Sequence, residues 1–229
     1  MKKLILTSVI VLFTLISFSQ KARFGLVGSP EINWMKPDVK GLASKGVKFG
    51  VNYGLNFDLP MGNNAAFSSG ILIDNTGGNV AFTDTIPFQT LDSIYSVKPE
   101  QIIEYKLQYL TIPIGLKLKT NEIGYITYFA HVGINAQINI GSKAKVGNLI
   151  SNEKINREVG TFNMNYHIGA GIEYSLSGTT ALLLGLYYNN GFLDITTIPK
   201  VDVPAGFSDE RIKDKVILNN VALKIGIMF

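Results

Sequence analysis

The 229-residue chain contains no cysteine. That absence excludes a disulfide framework, thiolate metal ligands and a lipid-attached N-terminus. Charge is scarce as well: Lys and Arg number 21, Asp and Glu 17, and the formal net charge is +4. So weak a bias, with no cluster of basic residues, does not suit nucleic acid. Histidine occurs only twice and tryptophan once. Beyond Phe18 there is no long apolar run, and mean hydropathy is only +0.21, which excludes a helical membrane protein. No linker, low-complexity tract or strong repeat divides the chain.

What is present begins with a targeting segment. Lys2 and Lys3 precede an apolar stretch from Leu4 to Phe18, with Ser17 and Ser19 at the two positions a signal peptidase reads. The stretch is short for the roughly 20 apolar residues of a membrane-spanning helix. The expectation is a signal peptide over residues 1–19, cleavage before Gln20, and one domain over residues 20–229.

The mature region alternates at period two. Phe24, Leu26, Ile32 and Trp34 oppose Arg23, Gly25, Ser29, Glu31 and Asn33. Val47 through Leu59 and a strand starting near Ala65 follow the same rule. So do Leu110, Ile112, Ile114, Leu116 and Leu118 against Thr111, Gly115, Lys117 and Lys119. Further segments begin at Ile126, Phe162 and Leu182, and the last runs from Val216 to Phe229. The count is eight, an even number that returns a single-chain barrel to its starting side. Short turns follow the second, fourth and sixth strands. Long polar segments follow the others, near 35–46, 74–101, 142–160 and 190–215. This pattern predicts an all-β, eight-stranded antiparallel up-and-down transmembrane β-barrel in the outer membrane, with its apolar face in lipid. Phe24, Phe57, Phe67, Tyr128, Tyr174 and Phe229 fall at one level and Trp34, Phe49, Tyr166 and Tyr188 at another. Two aromatic belts favour a membrane barrel over a soluble one.

Eight strands leave an interior only wide enough for side chains. Arg23, Glu31, Lys48, Asp58, Lys117, Lys119, Glu173 and Lys224 are expected inside as a paired charge network, because buried charges need partners. His131 and His167 also point inward. Pairing that sets Asn135 opposite His167 would separate the histidines by about four residues, on the order of 13 Å at ~3.3 Å per residue. That distance rules out a shared metal, and no Gly-x-Ser-x-Gly elbow supplies a nucleophile. No motif calls for a cofactor. On the lipid face Ile134→Arg should be costly, and Gln137→Arg in the lumen milder. Pro113 within a strand cannot donate to the ladder, so a bulge is expected there.

The run Tyr109-Leu110-Thr111-Ile112-Pro113-Ile114-Gly115-Leu116-Lys117 resembles a strand of the PorT-like outer-membrane β-barrel proteins of Bacteroidetes. His167-Ile168-Gly169-Ala170-Gly171-Ile172-Glu173-Tyr174, the run 187–195 and Asn220–Phe229 are similar to further parts of that family. The closing strand, with Phe229, Ile227 and Ile225 in register, resembles the signal read by the barrel-assembly machinery. The partners implied are outer-membrane lipid and, during biogenesis, that machinery with periplasmic chaperones. The resemblance also implies an alternative role as an accessory subunit of type IX protein secretion. The reading favoured by the residues is a non-enzymatic envelope barrel, structural or binding through its outer loops. A lipid-modifying enzyme and a small pore rank below both.

Overall fold

A strand that alternates small or polar residues with apolar ones can bury its backbone in lipid only if every N–H and C=O is paired, which requires closure. A computed structural model of the chain, describing residues 22–39, 41–197 and 215–229, has that closure. The leader, its cleavage point and much of the last long connection lie outside the described residues. Among the described residues there are twelve strands: β1 (Arg23–Pro37), β2 (Leu42–Ser44), β3 (Lys48–Pro60), β4 (Ala65–Phe82), β5 (Ile86–Gln89), β6 (Ile94–Val97), β7 (Ile102–Lys119), β8 (Ile126–Val146), β9 (Ile150–Lys154), β10 (Phe162–Ser177), β11 (Thr180–Gly191) and β12 (Val216–Met228).

Eight of these, β1, β3, β4, β7, β8, β10, β11 and β12, pair antiparallel in that order around the wall. β12 returns to β1, from Gly25 opposite Met228 to Pro37 opposite Val216. Two backbone hydrogen bonds between Phe24 and Phe229 extend that seam by one residue. The chain is an eight-stranded antiparallel up-and-down barrel, as its alternation implies. Leu26, Leu55, Ile71, Ile112, Ile134, Leu184 and Ile225 are exposed on the outside. Phe24 and Phe57 meet at the turn end, with ring centroids 6.5 Å apart, and Trp34 stacks on Tyr188 at the other end at 6.3 Å.

The wall is uneven in height. β4 and β7 have 18 residues and β8 has 21, against 12 in β11. About 9–11 residues suffice to cross the bilayer, so β4, β7 and β8 stand well beyond it at the long-loop end. The segment 74–101, expected as a loop, therefore begins as strand, and its remainder folds into the β5–β6 hairpin. Within the raised part lies an apolar core: Phe82, Ile86, Phe88, Val97, Tyr105 and Val146 are all buried together. Phe88 packs edge-on against Tyr105. The mouth is capped by hydrophobic packing where the sequence pattern suggests polar loops.

The bulge lies elsewhere than expected. Pro113 stays in register with Asn135. It interrupts only the ladder to β4, where pairing skips from Ser69–Ile114 to Leu72–Thr111, because proline has no N–H to donate there. The register shift in the β7–β8 pair falls between Gln108 and Tyr109, where Gly141 and Asn139 are the successive partners and Ile140 is the extra residue.

Candidate functional site in the lumen and its cap

Charged side chains facing a lumen too narrow for bulk water must find one another. At the turn end they do. Lys117, only 2% exposed, donates to Asp58 Oδ2 at 2.8 Å and to Glu173 Oε1, and its ammonium lies 4.6 Å from the centre of the Phe129 ring. Arg23 reaches Glu173 Oε2 at 2.5 Å, and Lys119 reaches the same oxygen at 3.2 Å. Asp58 Oδ1 accepts from Ser68 at 2.6 Å and from Asn56 at 3.1 Å. These charges come from β1, β3, β7 and β10, so the network ties opposite walls together across the lumen.

Three of the expected members lie apart from it. Lys48 is not in the lumen: its end of β3 has parted from β4, and the side chain crosses to the outer wall, donating to Glu104 Oε1 at 2.6 Å. Lys224 lies higher in the lumen, with its ammonium 4.3 Å from the centre of the Tyr187 ring. Glu31 accepts from Asn52 at 3.3 Å and, among the described residues, meets no Lys or Arg. Asp74, which the sequence pattern assigns to a loop, stands opposite Asn52 on β4 and accepts from Gln137 at 3.0 Å.

The histidines correct a second expectation. His167 lies opposite Gly133, not Asn135, so its offset from His131 is two residues shorter than expected. Their rings meet with centroids 4.5 Å apart and Nε2 atoms separated by 3.4 Å. Gly133 is needed there, since a Cβ on it would lie 2.8 Å from His167 Cε1. His167 Nδ1 sits 3.0 Å from Asn135 Oδ1, an acceptor, and therefore holds the proton. Its Nε2 then accepts from His131 Nε2–H, which leaves His131 Nδ1 to accept from the Tyr187 hydroxyl at 3.2 Å.

The same direction continues through the amides. Asn135 donates to Asn165 and Asn189, and Asn189 to Asn220. Asn165 donates to Gln137, which donates to Asp74 and Thr111. Gln137 thus makes four hydrogen bonds, counting Asn163, which argues against the mild effect expected of Gln137→Arg. Among the described residues no third His, Cys, Asp or Glu joins the imidazoles to complete a metal-binding group. A lumen cavity of about 30 Å³ between Ser29, Asn52, Asp74, His167 and Lys224 has room for about one or two waters.

The model of the outer membrane protein beta-barrel domain matches residues 18–197. No curated protein matches the chain. Among solved structures, OprG of Pseudomonas aeruginosa is 12% identical over 92% of this chain and 97% of its own, with a TM-score of 0.48. Neisserial surface protein A is 10% identical over 90% and 95%, with a TM-score of 0.48. The attachment invasion locus protein Ail of Yersinia pestis is 12% identical over 91% and 99%, with a TM-score of 0.42.

Proposed function

The chain belongs to the outer membrane protein beta-barrel domain family, and from that premise we propose that it is a non-enzymatic barrel of the cell envelope. It acts through the cap and loops at its long-loop end, by binding a partner at the cell surface or as a structural component. The observation that supports this most is double closure. A hydrogen-bonded polar column fills the lumen, and an apolar core seals the mouth above it. Among the described residues this packing leaves little room for a solute, which favours recognition at the cap over transport. Loops on a rigid scaffold are where binding function concentrates.

Both imidazoles use their ring nitrogens within the column, with a tyrosine and an asparagine as outer partners. Neither ring is placed to activate a hydroxyl at the lipid surface. In biogenesis, the leader over residues 1–19 is removed. Phe229, Ile227 and Ile225 present the final strand to the barrel-assembly machinery after periplasmic chaperones deliver the chain.

A second reading is a PorT-like accessory subunit of type IX secretion. It is favoured by where the family-like runs fall: Tyr109–Lys117 and His167–Tyr174 supply Lys117, His167 and Glu173, the centre of the lumen network. A gene deletion complemented with the full chain, or with a barrel whose 84–100 segment is a short Gly/Ser turn, tests both. Rescue of detergent sensitivity by the full chain alone supports binding through the cap, and rescue by both supports a structural role. Loss of type IX cargo export promotes the second reading. Conductance in planar bilayers, or lipid hydrolysis by the purified protein, would overturn both.

A further inference from the structure

On the outer wall of β4, β7 and β8 the lipid-facing residues stop at one level. Ile73 gives way to Asn75, Leu110 to Gln108, and Ile140 to Lys143. The register shift described above sets the last of these changes. Below it the even-numbered residues of β8, Val132 to Ile140, face out. The extra residue reverses the alternation, so Ser142, Ala144 and Val146 turn inward while Lys143 and Lys145 are exposed. Without it, the lysines would enter the apolar cap. Bulges re-aim side chains in this way.

The lysines do not stand alone. Lys106 on β7 is directly opposite Lys143 on β8, which is directly opposite Lys154 on β9. Like charges in directly opposed positions repel, and this row has three in succession. Lys48 arrives from β3 across Gly77, where a Cβ would lie 3.3 Å from the lysine Cδ. One carboxylate serves the group: Glu104 pairs with Lys48 at 2.6 Å and lies 3.8 Å from Lys106. Lys145 stands opposite Glu104 in the β7–β8 ladder, while among the described residues Lys143 and Lys154 have no anionic partner within salt-bridge distance. An open groove of about 610 Å³ runs between Lys48, Lys106 and Lys143, floored by Asn75, Gln108 and Gly141.

We propose that this groove binds the phosphate-bearing headgroup of a lipid in the leaflet at the long-loop end. The acyl chains lie on Ile73, Ile112, Ile138 and Ile140 directly below. An anion there relieves the repulsion along the lysine row, and the groove opens at the height where headgroups begin. Basic clusters at the edge of a membrane-spanning surface attract anionic lipid, each lysine contributing about 1 kcal/mol. The apolar wall beneath fixes the source of the phosphate as a lipid.

The test is retention of phosphatidic acid by the full chain in native mass spectrometry, after equilibration in phosphatidylcholine bicelles containing it. Lys106→Gln/Lys143→Gln should weaken retention on the order of 30-fold, the effect of two lysines at a charged surface. Lys36→Gln/Lys98→Gln, an equal charge change elsewhere, should leave it unchanged, and heat-modifiable migration checks that both variants are folded. Equal retention by the two variants overturns the proposal. So does retention of phosphatidylcholine as strong as that of phosphatidic acid. Displacement of the lipid by an equal concentration of inorganic phosphate would assign the groove to free anions and overturn the lipid assignment.

Discussion

Lys117→Met should destabilise the inserted barrel by about 3–5 kcal/mol, the cost of removing one partner from a buried ion pair. Lys119→Met, two residues along the same strand, should cost about 1 kcal/mol or less. The difference follows from who is left to serve each carboxylate. Without Lys119, Asp58 still has Lys117 at 2.8 Å, and Glu173 still has Lys117 and Arg23. Without Lys117, the nearest cation to Asp58 is Lys119 at 3.9 Å, and Asp58 is only 1% exposed. Methionine preserves most of the side-chain volume, so the lost charge dominates. Urea titration of the protein in lipid vesicles, followed through the single Trp34, gives both free energies on one scale. Adding Asp58→Asn to Lys117→Met should recover most of the loss, because the orphaned carboxylate causes it. Equal costs for the two lysines, or no recovery in the double variant, would refute the reasoning.

Ile134→Arg, on the lipid face of β8, should cost about 2–4 kcal/mol in the same titration. Gln137→Arg should be at least as damaging, since it breaks four buried hydrogen bonds; a mild effect would mean a looser lumen. Deleting Phe229 should reduce insertion yield in cells far more than refolding into detergent, and equal losses would leave only a packing role. Outside the bilayer, the Lys48 ammonium holds the Glu104 carboxyl below the usual carboxylate range. The stabilisation this pair gives is present above the unfolded carboxylate value of about 4.3 and is lost as pH falls through the depressed one. Carboxyl carbon NMR should show Glu104 titrating low, and Lys48→Ala should move it back toward the ordinary range.

Alternation made the wall legible, because lipid demands apolar residues on every second position and the lumen does not. Turn lengths gave the order of strands, and the seam between β1 and β12 followed from closure. Register was less accessible. The histidine pair was missed because a shift of two residues leaves every side chain on its own face, so no hydrophobic pattern reports it. The segment around Ile86, Phe88, Tyr95 and Val97 does contain a signal, alternating apolar residues on both sides of a turn, but it is short and surrounded by polar residues. Lys48 reads as a lumen residue by parity alone; only the parting of β3 from β4 sends it outside. Three of the eight expected network members thus fall elsewhere, whereas the five nearest the turn end form the cluster that buried charge requires.

The apolar cap stands in water, above a wall that stands in lipid. These halves obey different thermodynamics. Burial of Phe82, Phe88, Tyr105 and Val146 removes apolar surface from water, so unfolding the cap raises heat capacity and gives its stability a maximum near ordinary temperatures. The lipid-facing wall exchanges hydrocarbon contacts for hydrocarbon contacts and lacks that driving force. On cooling or in mild urea the cap should therefore loosen while the wall below holds, as an independent cooperative unit. A barrel built this way presents its surroundings with a surface whose order responds to temperature, mounted on a base that does not.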